Sequence, residues 1–228
     1  IGIEEEEFDI PENNITINDY TDLHIACFSG NAEAVDDIIY ENFDKNLNKL
    51  VNSYIINPPH NIRLPDHRYN CTPLHAACMS ESVDSVLLLL ATNECNLDAL
   101  ADKNMSPLHS AVLRDSVEIF QMIYNFPGIE KKPLMYHQKL PFHLAAKSGS
   151  LNVLKFIAEK TDNFDVNEKA AQGMTALHYA CKYNQKEIVS YLLKIPTCDI
   201  NSKTDEDLLT AFHFACKYCD IEIIKLLA

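Results

Sequence analysis

The chain has 228 residues, of which 47% are hydrophobic and 23% are charged, and its formal net charge is −14. An acidic chain is a poor candidate for non-specific binding to DNA, RNA or an anionic membrane surface, because such binding depends on Lys and Arg. The longest strongly apolar run, Val86 to Ala91, is far shorter than the roughly 20 residues of a membrane-spanning helix, so we expect no membrane insertion.

Residues 1–17 form an acidic N-terminal segment. Between Ile1 and Asp44 the chain has 13 acidic residues and no Lys or Arg, and its first residues are acidic where a secretory signal peptide is basic. We interpret the run Glu4 to Glu7 as a solvated acidic stretch rather than a metal site. Because the sequence does not begin with Met, we expect it to be a fragment of a longer protein.

A repeated motif fills residues 18–228. In each copy a histidine follows a cap residue by three positions and precedes an Ala by two. From His75 onward the steps between these histidines are 34, 34, 35 and 35 residues, whereas the step from His24 to His75 is 51. The first step therefore contains one repeat plus an insert of about 17 residues. The six copies begin at Thr21, Thr72, Ser106, Leu140, Thr175 and Thr210.

Each copy predicts a short helix followed by a second one. Ser or Thr caps the first helix with its hydroxyl, and Pro fits the first turn because its missing N–H would have no partner there. The Ala after each histidine predicts close contact with a neighbouring helix, since a larger side chain would hold the helices apart. Apolar stretches such as Val86–Leu90 and Ile188–Leu193 predict the second helix, with Gly30, Gly149 and Asn184 in the turns between the two.

These copies resemble the repeats of the ankyrin family, whose signature is Thr-Pro-Leu-His-x-Ala at a period near 33 residues. The resemblance covers residues 18–228 and implies an all-α solenoid of six units, each with two antiparallel helices and a projecting β-turn. Two departures stand out. Leu140 replaces the cap hydroxyl of the fourth copy, and the glycine expected two residues before the cap is present only as Gly173, with Asn70 and Asn104 as left-handed substitutes. Because the sequence stops inside an apolar second helix, Ile223–Ala228, we expect further protein beyond it.

An insert at about residues 42–66 separates the first and second units. It contains two proline-bearing stretches, Asn57–His60 and Asn61–Pro65, which suit a partner-binding loop. The alternative, a tolerated surface insertion, is favoured because closing a longer loop costs little free energy.

Four copies contain a His-x-x-Cys pair, which raises the question of a metal site. Zinc needs about four converging ligands, and pairs placed one repeat apart on parallel helices do not converge. We therefore interpret the histidines as hydrogen-bonded helix-start residues, as the resemblance also implies, and the cysteines as small buried residues. The pair Cys216-x-x-Cys219 lacks the βαβ context of a redox motif, and we place Cys216 in the same buried column.

No catalytic constellation, phosphate-binding loop or cofactor motif stands out beyond the repeats, so we expect no enzymatic activity, cofactor or metal within these residues. Eight cysteines without a pairing pattern predict free thiols and a reducing compartment, either the cytoplasm or the nucleus. We expect the chain to be monomeric on its own.

The resemblance implies that a partner contacts the turn tips before each cap and the positions four and five residues after each histidine. Copies three to six place one basic residue at these helix positions, with tyrosines beside them. Since neighbouring helices pack about 8–10 Å apart, these residues would form a basic and aromatic ladder across the groove. The predicted partner-binding residues are Arg68, Tyr69, Arg114, Tyr136, His137, Lys147, Lys182, Tyr183, Lys217 and Tyr218.

We predict that the groove holds an extended acidic segment of another protein, because local positive charge attracts acidic ligands and Tyr and Arg are enriched at binding hot spots. Two alternatives stay open: Lys is simply common at this family position, or the acidic N-terminal segment fills the groove in cis. The predicted function is a non-catalytic protein–protein interaction module. Its alternative is the recognition domain of a larger protein whose catalytic or channel part lies outside this chain, such as a ubiquitin-ligase adaptor, an acyltransferase, an ion channel or a bacterial effector.

Overall fold

The structure is a computed structural model and describes residues 22–43, 47, 51–52, 71–101, 104–129, 139–161 and 164–228. Within these ranges, six consecutive pairs of α-helices are present and no strand. The first helices of the pairs are α1 (Asp22–Ser29), α3 (Pro73–Ser80), α5 (Pro107–Leu113), α7 (Pro141–Ser148), α9 (Ala176–Lys182) and α11 (Ala211–Tyr218). The second helices are α2 (Ala32–Asn42), α4 (Val83–Ala91), α6 (Val117–Tyr124), α8 (Leu151–Lys160), α10 (Lys186–Leu192) and α12 (Ile221–Leu227).

The helices form two layers that run along the chain. Each first helix packs against the first helix of the next pair, so α1, α3, α5, α7, α9 and α11 stack in sequence order. The second helices lie on one side of this stack, and two or three residues join the two helices of each pair. This arrangement confirms the expected all-α solenoid, in which each unit contacts mainly its neighbours. None of the described helices is long and apolar enough to cross a membrane.

The recurring Ala lies in the contact between stacked helices, as predicted. Ala77, Ala111, Ala145, Ala180 and Ala215 are fully buried, and the leucines beside them complete one continuous core. A methyl group at this position lets the helix backbones approach closely, and a longer side chain would force them apart. The core is therefore a ribbon along the whole stack rather than a single centre.

In three motifs, those of His75, His143 and His178, the histidine joins its own helix cap to the following unit. In the second unit the backbone N–H of Thr72 donates to Nδ1 of His75 at 3.2 Å, so Nδ1 carries no proton. The proton is then on Nε2, which donates to the carbonyl oxygen of Met105 at 2.9 Å, just before the next cap. This confirms the structural role predicted for the histidines.

The same bond recurs along the stack with local variation. Nε2 of His178 lies 3.2 Å from the carbonyl oxygen of Leu209, and Nε2 of His143 lies 2.8 Å from that of Glu168. At the fourth cap Leu140 supplies no hydroxyl, yet its backbone N–H still donates to Nδ1 of His143 at 3.1 Å. The backbone therefore preserves this cap although the sequence departs from the pattern.

Short turns project before the caps, as the resemblance implied. The N–H of Ala170 donates to the carbonyl oxygen of Met174 at 2.9 Å, and the N–H of Thr204 donates to that of Leu209 at 3.0 Å. Successive turns are linked, because the N–H of Asp205 donates to the carbonyl oxygen of Gln172 at 3.0 Å. The turns therefore stack in register with the helices.

Gly173 occupies the point where two successive turns meet. Its φ is +68°, and a Cβ built on it would lie 2.3 Å from Oδ1 and 2.9 Å from the backbone nitrogen of Asp205. Asn104, at the equivalent place before its cap, has the left-handed φ of +55° that the sequence predicted, whereas Asn70 lies outside the described residues. The left-handed residue of the sixth unit was not predicted: exposed Leu208 takes this conformation before the cap, with φ +51°.

We predict that Gly173→Ala destabilises the protein more than Gly128→Ala does. Both glycines have positive φ, so both variants carry the left-handed cost of about 1 kcal/mol. Only Gly173→Ala adds a clash with the next turn, because no atom of the described residues lies within 4 Å of a Cβ at Gly128, and this should cost a further ~1–2 kcal/mol. Urea unfolding of both variants measures the difference, and equal midpoints would contradict the close packing of the turns.

We also predict that stability falls as the pH drops from about 6.5 towards 4. Burial lowers the pKa of His75 to about 4 and that of His109 to about 4, whereas an unfolded histidine titrates near 6.5. The unfolded chain therefore binds protons that the folded chain does not, and each histidine should cost about 1 kcal/mol between pH 7 and pH 5.5. Urea midpoints over this range provide the measurement.

The double variant His75→Gln with His109→Gln is the control for the pH prediction. It should be less stable at pH 7 because both cap hydrogen bonds and the bond from His75 to Met105 are lost, but its stability should depend less on pH. A pH dependence as steep as that of the original chain would show that other groups cause it.

Candidate functional site

The structure describes six of the ten predicted partner-binding residues. Lys147, Lys182 and Lys217 lie in the last turns of α7, α9 and α11, and Arg114 directly follows α5. Tyr183 follows α9 and Tyr218 ends α11. Outside the described residues lie Arg68, Tyr69, Tyr136 and His137, together with the acidic segment 1–17 and most of the insert at residues 42–66.

Two lysines of the last three units lie over tyrosine rings, one across a unit boundary and one within its own helix. Nζ of Lys147 lies 5.0 Å from the ring centroid of Tyr183, which belongs to the following unit. Nζ of Lys217 lies 5.0 Å from the ring centroid of Tyr218. Both distances are within the range of a cation–π interaction, which at exposed sites stabilises by about 0.5–1 kcal/mol. We call Lys147, Lys182, Lys217, Tyr183 and Tyr218 the basic–aromatic stripe.

The charge of Lys182 acts on the tyrosine of the following unit. A hydrogen bond and the charge of Lys217 lower the pKa of the Tyr218 phenol, and the charge of Lys182 lowers it further. The ammonium groups of consecutive units therefore act on one ring. Within the described residues none of the three stripe lysines forms an ion pair with a carboxylate.

The two tyrosine rings are half-exposed. Tyr183 is 41% exposed and Tyr218 is 43% exposed, which leaves part of each ring open to solvent beside its lysine. An open aromatic ring next to a cation offers both apolar area and charge to a bound segment.

Arg114 differs from the three lysines. One nitrogen of its guanidinium lies 3.9 Å from a carboxylate oxygen of Glu81 in the preceding unit, and the two side chains are 36% and 55% exposed. Such a surface pair stabilises little but compensates the positive charge locally. The predicted ladder therefore begins with a neutralised position, and uncompensated charge starts at Lys147.

The His-x-x-Cys pairs do not converge. Among the described residues, no group of three or more His, Cys, Asp or Glu is placed to hold a metal ion. All eight cysteines are free thiols, and burial raises the pKa of Cys27, Cys78 and Cys181. The placement of Cys216 in the buried column was wrong: it is exposed, because no further unit of this sequence packs against α11. Its neighbour Cys219 donates to the carbonyl oxygen of Cys181 at 2.7 Å.

Sequence reasoning missed an aromatic cavity of about 160 Å³ near the start of α7. The rings of Phe142 and Phe164 meet edge to face there, with centroids 4.6 Å apart, and Leu140 is buried beside them. The sequence feature that could have predicted this cavity is Leu140, which replaces the usual cap hydroxyl, since an apolar cap residue faces an apolar space. The remaining lining residues are Phe120, Tyr124, Pro141, His143, Ile157, Thr161, Asp165 and Glu168. The cavity is acidic at its polar side and so differs in charge from the stripe.

Comparisons with known proteins agree with this architecture. A family profile described as "Ankyrin repeats (3 copies)" matches residues 23–133 and 142–228. The Bcl-3 ankyrin repeat domain is similar in structure, with a TM-score of 0.70, 20% identity and coverage of 92% of this chain and 84% of that one. The human ASB11 ankyrin repeat domain has a TM-score of 0.69 at 22% identity, covering 91% of this chain and 82% of the other.

Curated relatives match mainly in parts of much longer proteins. The eye-specific diacylglycerol kinase of Drosophila melanogaster is 35% identical over 78 residues, 34% of this chain and 5% of the kinase. The human neurogenic locus notch homolog protein 2 is 28% identical over 194 residues, 83% of this chain and 8% of that protein. Ankyrin repeat protein B18 of Variola virus is 22% identical over 148 residues, 60% of this chain and 25% of B18. The chain thus spans a quarter or less of these three relatives.

We predict that Cys216 reacts first when the native chain is alkylated. Its thiol is exposed, whereas Cys27, Cys78 and Cys181 are buried with raised pKa and require local opening, so they should react at least about tenfold more slowly. Mass spectrometry of peptides after short iodoacetamide treatment measures the order, and the urea-unfolded chain is the control. Equally fast labelling of the buried thiols would contradict the packing between units.

Proposed function

The chain belongs to the ankyrin repeat family, and from this premise we propose that it is a non-catalytic protein–protein interaction module. The ankyrin repeat fold is typical of such modules. Its proposed ligand is an extended acidic segment of another protein, held on the basic–aromatic stripe. The count of six ankyrin repeats remains our prediction, supported by six helix pairs within the described ranges.

The observation that carries the proposal is a local reversal of charge. The chain as a whole has a net charge of −14, yet three consecutive units present Lys147, Lys182 and Lys217 on one layer of helices. Nζ groups of two of these lysines lie 5.0 Å from half-exposed tyrosine rings. A positive patch on a negative protein favours acidic ligands at this place and disfavours them elsewhere.

The chemistry of binding follows from these side chains. Each ammonium donates up to three hydrogen bonds to carboxylates, and charge-assisted bonds of this kind are roughly twice as strong as neutral ones. Because the lysines are partly solvated, the attraction acts mainly on the rate of association and weakens with salt. The tyrosine rings add apolar contact that salt does not weaken.

A second candidate function is supported by the lengths of the relatives. The diacylglycerol kinase match covers 5% of that enzyme, and the notch homolog match covers 8% of that protein. Ankyrin repeats therefore occur in these proteins as one part among others, and this chain would be the recognition domain of a larger protein in the same way. In both candidate functions the basic–aromatic stripe is the binding surface.

The eight free thiols favour a reducing compartment such as the cytoplasm or nucleus. We further propose that the chain alone is monomeric.

We predict that charge reversal of the stripe abolishes binding of an acidic peptide. The probe is a fluorescein-labelled peptide of Glu and Pro, its neutral counterpart has Gln for Glu, and anisotropy at low and at physiological salt gives both affinities. Lys147→Glu, Lys182→Glu and Lys217→Glu together should weaken binding of the acidic peptide by at least about a hundredfold, because three attractive contacts become repulsive. The neutral peptide should bind the original chain weakly and be little affected.

The matched control reverses three lysines of the same units, Lys155 in α8, Lys194 two residues after α10 and Lys225 in α12. Lys155→Glu, Lys194→Glu and Lys225→Glu change the net charge by the same amount, and Lys155 also lies over a tyrosine ring, that of Tyr191. Circular dichroism establishes that both triple variants keep their helices. Equal loss of affinity in the two variants would show that only net charge matters. If the segment 1–17 competes in cis, changing Glu4 to Glu7 to Gln should strengthen binding of the probe.

A further inference from the structure

The spacing of the basic–aromatic stripe restricts the conformation of what it binds, and this inference rests on the proposed function. Lys147, Lys182 and Lys217 are 35 residues apart and occupy the equivalent position of α7, α9 and α11. These helices stack directly on one another. Stacked helices lie about 8–10 Å apart, so the backbone positions from which the three lysine side chains extend repeat at about that interval along the stack.

A β-strand does not fit this interval. Its residues rise by about 3.3 Å, and side chains on one face recur every second residue, at roughly 6.7 Å and 13 Å. Neither distance matches about 8–10 Å. Residues three apart in a strand match the length, but their side chains point to opposite faces.

A polyproline II helix fits both the distance and the direction. It rises about 3.1 Å per residue and has three residues per turn, so every third side chain lies on the same face at about 9.3 Å. Seven residues then place three carboxylates opposite the three lysines. An α-helix reaches a similar interval only with acidic residues seven apart, and needs about fifteen residues to cover the same stripe.

The tyrosines favour the polyproline conformation. Tyr183 and Tyr218 are half-exposed and contact the lysines of the stripe, so the stripe alternates cations and aromatic rings. Aromatic-lined grooves recognise polyproline segments by packing proline rings against aromatic faces. In a segment with an acidic residue at every third position, the residues between them would meet the tyrosine rings.

The charges around the stripe limit its length and course. At one end Arg114 is compensated by Glu81, so the stripe begins at Lys147. The turn before α11 carries exposed Glu206 and Asp207, whereas Lys217 lies in the last turn of that helix, roughly 10 Å along the axis. An acidic segment is therefore repelled from the tip of this turn and directed along the helix ends.

We propose that the stripe recognises an acidic polyproline II segment with Asp or Glu at positions i, i+3 and i+6 and proline between them. The three carboxylates bind Lys147, Lys182 and Lys217, and the prolines pack against Tyr183 and Tyr218. A partner would thus be selected by the register of its acidic residues as well as by their number.

Peptides of equal length and charge test the register, and the proline peptides among them also share one composition. Three of them carry three Glu among Pro and Gln, spaced by two, three or four residues, and a fourth, Ala-rich peptide carries three Glu spaced by seven on a helix. We expect the three-residue spacing to bind the original chain about tenfold more tightly than the other proline peptides, by fluorescence anisotropy. Lys182→Gln, which removes the central charge, should abolish this preference, whereas the control Lys155→Gln should keep it.

The outcomes separate this inference from the proposed function. Equal binding of the two-, three- and four-residue spacings would overturn the register while leaving the acidic-ligand function intact. Tighter binding of the helical peptide would overturn the polyproline conformation. If no acidic peptide binds above its Gln-substituted counterpart, the proposed function fails together with the inference.

Discussion

The stack depends on one side chain that makes hydrogen bonds in two directions. Nδ1 of His75 accepts from the cap of its own helix, and its Nε2 donates to the carbonyl of Met105 in the next unit. Since the first bond fixes the tautomer, the second is always available as a donor. Local helix initiation and the spacing between units are therefore set by the same imidazole. Burial keeps this ring neutral, which is necessary because an imidazolium could not accept at Nδ1.

Close stacking follows from small residues where the helices meet. The buried Ala of each unit allows the next first helix to approach, and the linked turns at Gln172 and Asp205 hold the same register outside the core. Each unit buries its apolar face only against its neighbours, so the stack gains stability from one interface at a time. A side chain placed at one helix position therefore recurs at a regular distance along the surface.

Because the helices stack at a regular distance, three lysines from different units lie together on one surface. Lys147 reaches the ring of Tyr183 in the following unit, and the charge of Lys182 acts on Tyr218. The stripe is the product of helix stacking and not of any local sequence motif. The aromatic cavity beside Leu140 shows the opposite character, with apolar walls and the acidic residues Asp165 and Glu168. Two surfaces of opposite charge on one stack would favour different ligands. The basic–aromatic stripe differs in sign from the net charge of the whole chain, which is −14.

The sequence by itself determined the helix pairs, their caps, the buried Ala and the left-handed turns at Gly30, Gly149 and Asn184. These features are local, because cap hydrogen bonds, helical periodicity and backbone φ depend on residues within one or two turns. The pairing of Arg114 with Glu81, the exposure of Cys216 and the cavity at Leu140 were decided by tertiary structure alone. Each depends on which side chains of different units meet across a stack, and residues about 35 positions apart in sequence carry no local signal of that contact. The register of the stripe lies between these two cases: the sequence supplies the spacing of its lysines, and only the stacked helices convert that spacing into a distance.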